Sequence, residues 1–367
     1  MDMRIAIFHD VIENMGGGEK LVLTLARGLG ADVISANVDK SIIAKMGFSD
    51  VNVISLGNTI KIPPLKQIHL SWMFWRADLR DEYDLFIFSG NWAHYASFRH
   101  KPNLWYCFTP PRPFYDLYQT FLGRENLLRG ILFRAWVFAH RRFDQMAVAR
   151  CEKIAADSKN VQKRIMRYYK RESTVIYPPV DSGIYKYNKN GDFWLSVNRL
   201  YPEKRVDLQI DVFRELPEEK LIIVGGHIEK GDHASGYANK LLENVPKNVT
   251  FKRNVTGKEL IQLYADCKAV VTTSLDEDFG MVPLEAMASG KPVVAVNEGG
   301  YKETVVHGKT GFLVNADKAS LIKAVRAMKN PAKYRSACIA RAKEFDTHIL
   351  IESIKQLISR DQGSAKQ

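Results

Sequence analysis

The sequence lacks the features that define several common classes of protein. Its four cysteines (Cys107, Cys151, Cys267 and Cys338) lie far apart, without a C-x-x-C pair. This spacing excludes a disulfide scaffold and a structural zinc site, and it predicts a reducing compartment. Glycine and proline number only 24 and 14 among 367 residues, and 46% of the residues are hydrophobic. The composition therefore excludes a fibrous or disordered chain and predicts two domains with sizeable cores.

The sequence also has no long apolar run. A membrane-spanning helix needs roughly 18 unbroken apolar residues, and the nearest candidate, Gly130 to Phe138, is short and carries Arg134. The strand-like segment Arg4 to Phe8 follows Met1 almost directly, which leaves no room for a signal peptide. We therefore expect a cytoplasmic protein, attached at most peripherally to the inner face of the cell membrane.

Positive charge is present in excess and is concentrated in one region. The formal net charge is +12, and residues 99–171 hold 16 Lys and Arg against 5 Asp and Glu, a net charge of +11. This region is rich in aromatic residues and follows the segment Leu70-Ser-Trp-Met-Phe-Trp75. A solvated basic face and an anionic membrane surface both account for the pattern. No nucleic-acid-binding module accompanies the charge, so we expect no nucleic-acid partner.

Short apolar runs recur along the chain, separated by segments that can form helices. Continuous apolar runs suit strands that are buried on both faces of a parallel sheet, and their alternation with helices predicts βαβ units. We therefore predict an α/β protein with two doubly wound, Rossmann-like domains that face each other across a cleft. The predicted domains are residues 1–180 and 190–343, with a C-terminal helix at about 345–360 that packs back onto the first domain. The predicted strands are Arg4–Phe8, Asp32–Ser35, Val51–Leu56, Leu85–Ser89, Leu104–Phe108, Ile154–Asp157, Thr174–Tyr177, Phe193–Val197, Leu221–Val224, Val249–Phe251, Ala269–Thr273 and Pro292–Val296.

Two motifs combine glycine or basic residues with the end of a predicted strand. Gly16, Gly17 and Gly18 open a helical pattern, where free backbone amides favour phosphate, although a structural glycine turn explains them as well. Arg199 and Lys204 follow the first strand of the second half. Together they can neutralise a diphosphate, and ordinary surface charge is the alternative.

The most specific motif lies between Asp276 and Gly290. It reads Asp-Glu277-Asp-Phe279-Gly280-Met-Val-Pro-Leu-Glu285, with Glu277 in a strand-to-helix loop and Glu285 in the first helical turns. Two acceptor carboxylates at this separation can hold two hydroxyl-bearing parts of one ligand. The pair Asp276 and Asp278 also matches a D-x-D metal pattern, which is common by chance. A glycine pair, Gly299 and Gly300, follows the next predicted strand.

These motifs, in this order, resemble the retaining, nucleotide-sugar-dependent glycosyltransferases of family 4, which have the GT-B fold. The resemblance runs through His9-Asp10, Gly16 to Lys20, Tyr177-Pro-Pro-Val-Asp181, Arg199 to Lys204, Glu277 to Glu285, and Gly299 to Glu303. The opening stretch and Cys107-Phe-Thr-Pro-Pro-Arg112 most resemble mannosyltransferase-like enzymes of surface-polysaccharide assembly. The resemblance implies a hexosyltransferase whose first domain binds a lipid-linked or glycan acceptor and whose second binds the nucleotide sugar, with GDP-mannose as a candidate.

The resemblance also implies a role for each matching residue. Arg199 and Lys204 would bind the donor diphosphate, Glu277 the sugar hydroxyls and Glu285 the nucleotide ribose. Phe279, Gly280 and the glycines at 16–18, 299 and 300 would complete the donor site. Relatives carry a sugar-contacting histidine after a strand of the first domain; here Asn91 holds that position and His94 follows three residues later. Either residue can serve, so His94 is a candidate catalytic residue, and a structural histidine is the alternative. No cofactor or metal is implied. The alternatives are a catalytically silent nucleotide-sugar-binding protein and another GT-B chemistry such as nucleotide-sugar epimerisation.

Overall fold

The computed structural model describes residues 3–225 and 235–359, and it divides into two units. Unit 1 runs to Pro178 and resumes at Leu350; unit 2 spans Pro179–Ile349. The residues at 181–189, which lie between the predicted domains, are part of unit 2. They are tied into it by backbone hydrogen bonds, for example from the amide of Asn188 to the carbonyl of Ala265 at 3.1 Å.

Unit 1 is built on a seven-stranded parallel sheet with the order β3-β2-β1-β4-β5-β6-β7. Its strands are β1 (Ile5–Ile12), β2 (Asp32–Val38), β3 (Val53–Ser55), β4 (Leu85–Ser89), β5 (Asn103–Cys107), β6 (Lys153–Ala156) and β7 (Thr174–Val175). Its helices are α1 (Gly17–Leu29), α2 (Lys40–Lys45), α3 (Leu65–Arg76), α4 (Tyr118–Leu122), α5 (Leu127–Ala149) and α6 (Lys159–Tyr169). A 3-10 helix, Ala93–Phe98, follows β4.

The sheet of unit 1 is covered on both faces. Side chains that alternate along each strand belong to two separate core clusters, as expected when successive residues point to opposite faces. One cluster includes α1 and the C-terminal helix α14 (Thr347–Ser359), and the other includes α3, α5 and α6. Gly28 allows the close approach of α14, because a Cβ atom there would lie 2.3 Å from the Cδ1 atom of Ile351.

Unit 2 is built on a six-stranded parallel sheet with the order β10-β9-β8-β11-β12-β13. Its strands are β8 (Phe193–Asn198), β9 (Lys220–Gly225), β10 (Val249–Lys252), β11 (Ala269–Thr272), β12 (Val293–Val296) and β13 (Gly311–Val314). Its helices are α7 (Val206–Arg214), α8 (Ser235–Glu243), α9 (Gly257–Asp266), α10 (Met281–Ala288), α11 (Tyr301–Thr304), α12 (Lys318–Ala327) and α13 (Arg335–Lys343).

The two parallel sheets confirm the predicted α/β class and its doubly wound, Rossmann-like units. Each predicted strand corresponds to an observed strand, and β13 is an additional one. The four cysteines are buried and form no disulfide bond within the described residues. No helix in the described part of the chain is both long enough and apolar enough to cross a bilayer.

Candidate active site

The two basic candidates of unit 2 lie in the turn that joins β8 to α7. Arg199 follows the last residue of β8 and is exposed, and Lys204 ends a short 3-10 helix, Pro202–Lys204. The hydroxyl of Thr273, at the end of β11, donates to the carbonyl oxygens of Lys204 and Arg205 at 2.9 and 3.0 Å. Because β8 and β11 are neighbouring parallel strands, their carboxyl ends bring this turn beside the loop that follows β11.

That loop supplies the carboxylate of the site. The ammonium nitrogen of Lys204 lies 2.7 Å from Oε2 of Glu277, and both side chains are largely but not fully buried. The loop is fixed to the Lys204 turn, because the amide of Leu275 donates to the carbonyl of Glu203 at 2.7 Å. The structure therefore brings together two residues, 73 positions apart, that the sequence predicts for one ligand.

Tyr301 is a further residue of this cluster, and the sequence analysis did not identify it. Its buried hydroxyl group lies 3.4 Å from Oε2 of Glu277 and 2.9 Å from Oγ of Ser274, and it also bonds to Thr272. A Cβ atom at Gly280 would lie 2.7 Å from the Tyr301 ring. Gly280 therefore has a packing role, which is to let the ring reach Glu277. All of these partners lie within residues 272–280, and Tyr301 follows the next strand, so only the pairing of β11 with β12 brings the ring to them.

Gly299 and Gly300 lie against the backbone of the same loop. Gly299 has φ +52°, and a Cβ atom there would lie 2.3 Å from the carbonyl oxygen of Glu277. The amide of Gly300 donates to that oxygen at 2.8 Å. This amide is already occupied within unit 2, whereas the resemblance assigns the backbone amides here to the donor. The glycine pair permits close contact between the β11 and β12 loops, and the assignment of Gly299 and Gly300 to donor binding stays a prediction.

A second ion pair stabilises the same edge of the sheet. Arg205, which has φ +49° at the start of α7, lies 3.0 Å from Glu298 through its Nη1 atom. The other carboxylate oxygen of Glu298 accepts the amide of Asp276 at 3.2 Å. Asp276 is thus part of the loop structure. Among residues 3–225 and 235–359, no three His, Cys, Asp or Glu side chains form a group suited to a metal ion.

Glu285 lies on α10 and is held by two buried tyrosines. The Tyr264 hydroxyl donates to Oε2 of Glu285 at 2.7 Å, and Tyr185 also hydrogen-bonds to this carboxylate. Burial, and then the charge of Glu285, raise the pKa of both phenols, so both remain protonated donors. Phe279 is buried and packs against Phe345, which gives it a place in the core of unit 2. The two tyrosines were not identified from the sequence.

In unit 1, the three candidate glycines begin α1. Gly16 is the N-cap residue with an extended backbone, and Gly17 and Gly18 are the first two helical residues. The first-turn amides of a helix have no intrahelical acceptor, so this end of α1 can bind an anion. Gly18 also packs closely, because a Cβ atom there would lie 3.4 Å from the ring of Phe108. The assignment of Gly16, Gly17 and Gly18 to donor binding stays a prediction.

His94 lies in the core of unit 1 rather than at its surface. It is fully buried, and its Nε2 atom lies 2.9 Å from Oδ1 of Asp144. The other oxygen of Asp144 accepts the hydroxyl groups of Tyr115 and Tyr169 at 2.6 and 2.8 Å. The structure thus places His94 out of reach of solvent, and its assignment as a sugar-contacting residue stays a prediction. Asn91, which precedes it, is only partly buried.

Asp10, in the matching His9-Asp10 pair, organises the loop that contains Asn91. Its carboxylate accepts the backbone amides of Asn91, Trp92 and Ala93 at 2.6 to 2.9 Å. Gly90 has φ +95°, and a Cβ atom there would lie 2.5 Å from this carboxylate. Burial raises the pKa of Asp10 to about 6, and the three amides oppose that rise. Asp10 therefore has a structural role at the end of β4.

Comparison with known proteins identifies the class of enzyme. The chain resembles glycosyltransferases in its two Rossmann-like units and in the charged cluster at the strand ends of unit 2. Residues 181–345 are a glycosyl transferases group 1 domain. The predicted resemblance to glycosyltransferases is confirmed for this domain, and a mannosyltransferase-like enzyme of family 4 is consistent with it.

Several relatives are mannosyltransferases. Alpha-1,3/1,6-mannosyltransferase ALG2 of Dictyostelium discoideum is 24% identical to this chain over 379 residues, which cover 86% of each protein. The protein of the same name from Homo sapiens is 33% identical over 145 residues. That match covers 36% of this chain and 35% of the human protein.

Solved structures of low sequence identity share the fold. HepE of Anabaena, crystallised with UDP and glucose, has a TM-score of 0.75 at 24% identity, covering 97% of this chain and 99% of that chain. Sucrose-phosphate synthase of Thermosynechococcus elongatus has a TM-score of 0.76 at 17% identity, covering 98% of this chain and 100% of that chain. These matches establish the GT-B fold.

Proposed function

We propose that this glycosyltransferase transfers a mannosyl group from GDP-mannose to a hydroxyl group of a lipid-linked or polysaccharide acceptor, with retention of the anomeric configuration. The observation that carries the proposal is the Lys204–Glu277 pair beside Arg199, within a glycosyl transferases group 1 domain. The similarity to mannosyltransferases supports the choice of sugar.

The charges of the cluster suit a nucleoside diphosphate sugar. An ammonium group has three N–H donors, so Lys204 can keep its bond to Glu277 and still bind a phosphate oxygen. The guanidinium of Arg199 is exposed and can bind two phosphate oxygens at once. Glu277 accepts hydroxyl groups of the sugar, while Glu285, held by Tyr264 and Tyr185, accepts those of the ribose.

The proposed reaction proceeds on one face of the sugar. The acceptor oxygen bonds to the anomeric carbon as the bond from that carbon to the phosphate oxygen breaks. The acceptor proton passes to the departing phosphate, so no protein base is needed. Negative charge develops on the diphosphate, and fixed cations placed there stabilise the transition state more than the ground state. We propose that Arg199 and Lys204 supply this stabilisation without a metal ion.

A thermal-shift screen with UDP-, GDP- and ADP-sugars tests the donor assignment. A ligand that binds only the folded protein raises its apparent stability, so we expect GDP-mannose to give the largest shift. A chelator should leave that shift unchanged. NMR of the product formed from GDP-mannose and a glycolipid acceptor should show an α-glycosidic bond, the same configuration as in the donor. A chain that is stabilised by none of the nucleotide sugars would contradict the proposal.

Replacing Tyr264 with phenylalanine should weaken donor binding about three- to tenfold, because it removes one hydrogen bond to Glu285 and keeps the ring. The weaker binding should appear as a larger dissociation constant of GDP, measured by calorimetry. We expect only a small change in kcat. Tyr237→Phe is the matched control, since the Tyr237 hydroxyl donates to Asp207 at 2.7 Å elsewhere in unit 2. Equal GDP affinity in the two variants would argue against the positioning role of Tyr264.

A further inference from the structure

The long helix α5 is apolar on its outward face as well as on its core face. Gly130, Val137, His140, Asp144, Ala147 and Val148 are buried. On the opposite side, Leu128, Ile131, Leu132 and Phe138 are 69, 55, 62 and 62% exposed. With Ala135 and Arg142 they follow the i, i+3, i+4 spacing of a single helix face. A surface helix normally has polar residues on its outward face, so α5 lacks the usual solvent-facing composition.

The neighbouring helix α3 has the same property. Leu70, Ser71 and Phe74 face the core, while Leu65, Ile68, Trp72 and Trp75 are 37 to 47% exposed. Among the described residues, eighteen large apolar side chains are exposed, and ten of them lie on these two helices. They are Leu65, Ile68, Trp72, Trp75, Leu127, Leu128, Ile131, Leu132, Phe138 and Met146. Single exposed apolar residues are normal, but this concentration marks an interaction surface.

The two apolar faces lie on the same side of unit 1. The hydroxyl group of Ser71 in α3 is 3.0 Å from Nε2 of His140 in α5, so the helices are in direct contact. Both belong to the core cluster on one face of the seven-stranded sheet. Their outward faces, defined by the ten exposed side chains, are together called the α3–α5 surface.

Every charged residue that is exposed on these two helices is basic. Arg129, Arg134 and Arg142 are exposed on α5, and Arg76 is exposed on α3. The helix α3 has no acidic residue, and the one in α5, Asp144, is fully buried. The guanidinium carbon of Arg142 lies 4.1 Å from the centre of the Phe138 ring. Apolar side chains bordered by arginine suit the interface of a bilayer, where the cations reach the lipid phosphates.

Three other basic residues of the region 99–171 are engaged elsewhere in unit 1. Arg112 forms an ion pair with Asp116 at 2.7 Å. Arg164 is buried, and Arg171 donates to the carbonyl oxygens of Val148 and Cys151 at 3.0 and 2.7 Å. The structure thus places three arginines of the basic region, Arg129, Arg134 and Arg142, among exposed apolar side chains of α5. It also adds α3, which lies outside that region.

We propose that the α3–α5 surface binds the interface of a membrane rich in anionic phospholipid. A second copy of the chain is a poorer occupant, because a symmetric contact would place arginines against arginines with no exposed acid on either helix. Each basic residue near an anionic bilayer contributes about 1 kcal/mol, and buried aliphatic side chains and tryptophans add to it. The helices lie along the membrane surface and do not cross it. The proposal is independent of the donor assignment.

Co-sedimentation with phosphatidylcholine vesicles, with and without phosphatidylglycerol, tests this surface. We expect the full chain to bind the anionic vesicles, and to bind them less at high salt. The triple variant Leu128→Glu, Ile131→Glu, Leu132→Glu should bind at least about tenfold less, since it replaces apolar contacts with charges that anionic lipid repels. These side chains are exposed, so the variant should keep its thermal stability and its shift with nucleotide sugar. Met166→Glu is the control, since Met166 is also an exposed apolar residue of unit 1 but lies on α6.

A second measurement uses tryptophan fluorescence. Brominated lipid should quench the tryptophan fluorescence of the wild-type chain. The double variant Trp72→Phe, Trp75→Phe should lose most of that quenching. Three results would overturn the proposal: no binding of the wild-type chain to anionic vesicles, equal binding to vesicles of phosphatidylcholine alone, or equal binding of the triple variant. A dimer that the triple variant dissociates, without vesicle binding, would identify a second copy as the occupant instead.

Discussion

Replacing Lys204 with alanine should lower kcat/KM for sugar transfer by about 100- to 1000-fold, the usual effect of removing one fixed donor at a site of developing charge. The ammonium group lies 2.7 Å from Glu277 and in the turn that follows Arg199. In the proposed reaction it stabilises the departing diphosphate, so its loss should lower kcat and not only raise KM. Steady-state kinetics, with the donor that thermal shift identifies, would measure kcat and KM separately.

The control for this variant is Lys220→Ala. Lys220 is also in unit 2 and also forms an ion pair, with Asp192 at 2.5 Å, but both side chains of this pair are exposed. We expect activity close to wild type, because exposed ion pairs contribute little. Arg199→Ala should behave like Lys204→Ala, and because Arg199 is exposed its loss leaves the core intact. Wild-type turnover in both Arg199→Ala and Lys204→Ala would rule out the proposed diphosphate site.

The strands were predictable because most of them are buried on both faces. Runs such as Leu85–Ser89 are apolar without alternation, which is the pattern of a central parallel strand. The strand β13 was missed because it begins with Gly311 and is only half-buried beyond it, so it lacks that pattern. Gly311 has φ +149°, and a Cβ atom there would lie 1.8 Å from the carbonyl oxygen of Val293. Only the pairing with β12 explains this glycine.

The charged part of the site was also predictable, since Lys204 and Glu277 each lie in the loop that follows a strand of one parallel sheet. Their supporting residues were not. Tyr301 reaches Glu277 only because α11 begins close to the β11 loop, and a hydroxyl contact of this kind leaves no regular spacing in the chain. The burial of His94 likewise depends on Asp144, which is 50 residues away in α5. Position after a strand indicates which edge of a sheet a residue occupies, but not whether its side chain is accessible.

Replacing Gly300 with alanine should lower kcat/KM by about 100-fold, the effect of a displacement of about 1 Å in a catalytic group. Gly300 has φ −68° and ψ −14°, which any L-amino acid adopts, so backbone strain does not explain the glycine. A Cβ atom there would lie 2.4 Å from Cα of Phe279 and 2.6 Å from the carbonyl oxygen of Asp278. These are backbone atoms and cannot rotate away, so the loop that carries Glu277 has to move.

The matched control is Gly257→Ala. Gly257 begins α9 in the same unit, and nothing lies within 4 Å of a Cβ atom placed there. We expect wild-type activity from this variant, and from Gly300→Ala a loss of stability of about 1 to 3 kcal/mol, as for other overpacked positions. Hydrogen exchange should locate the change, because the Gly300 amide loses its 2.8 Å bond to the carbonyl of Glu277 when the loop moves. If Gly300→Ala kept both full turnover and slow exchange at that amide, close packing of the β11 and β12 loops would not be what positions Glu277.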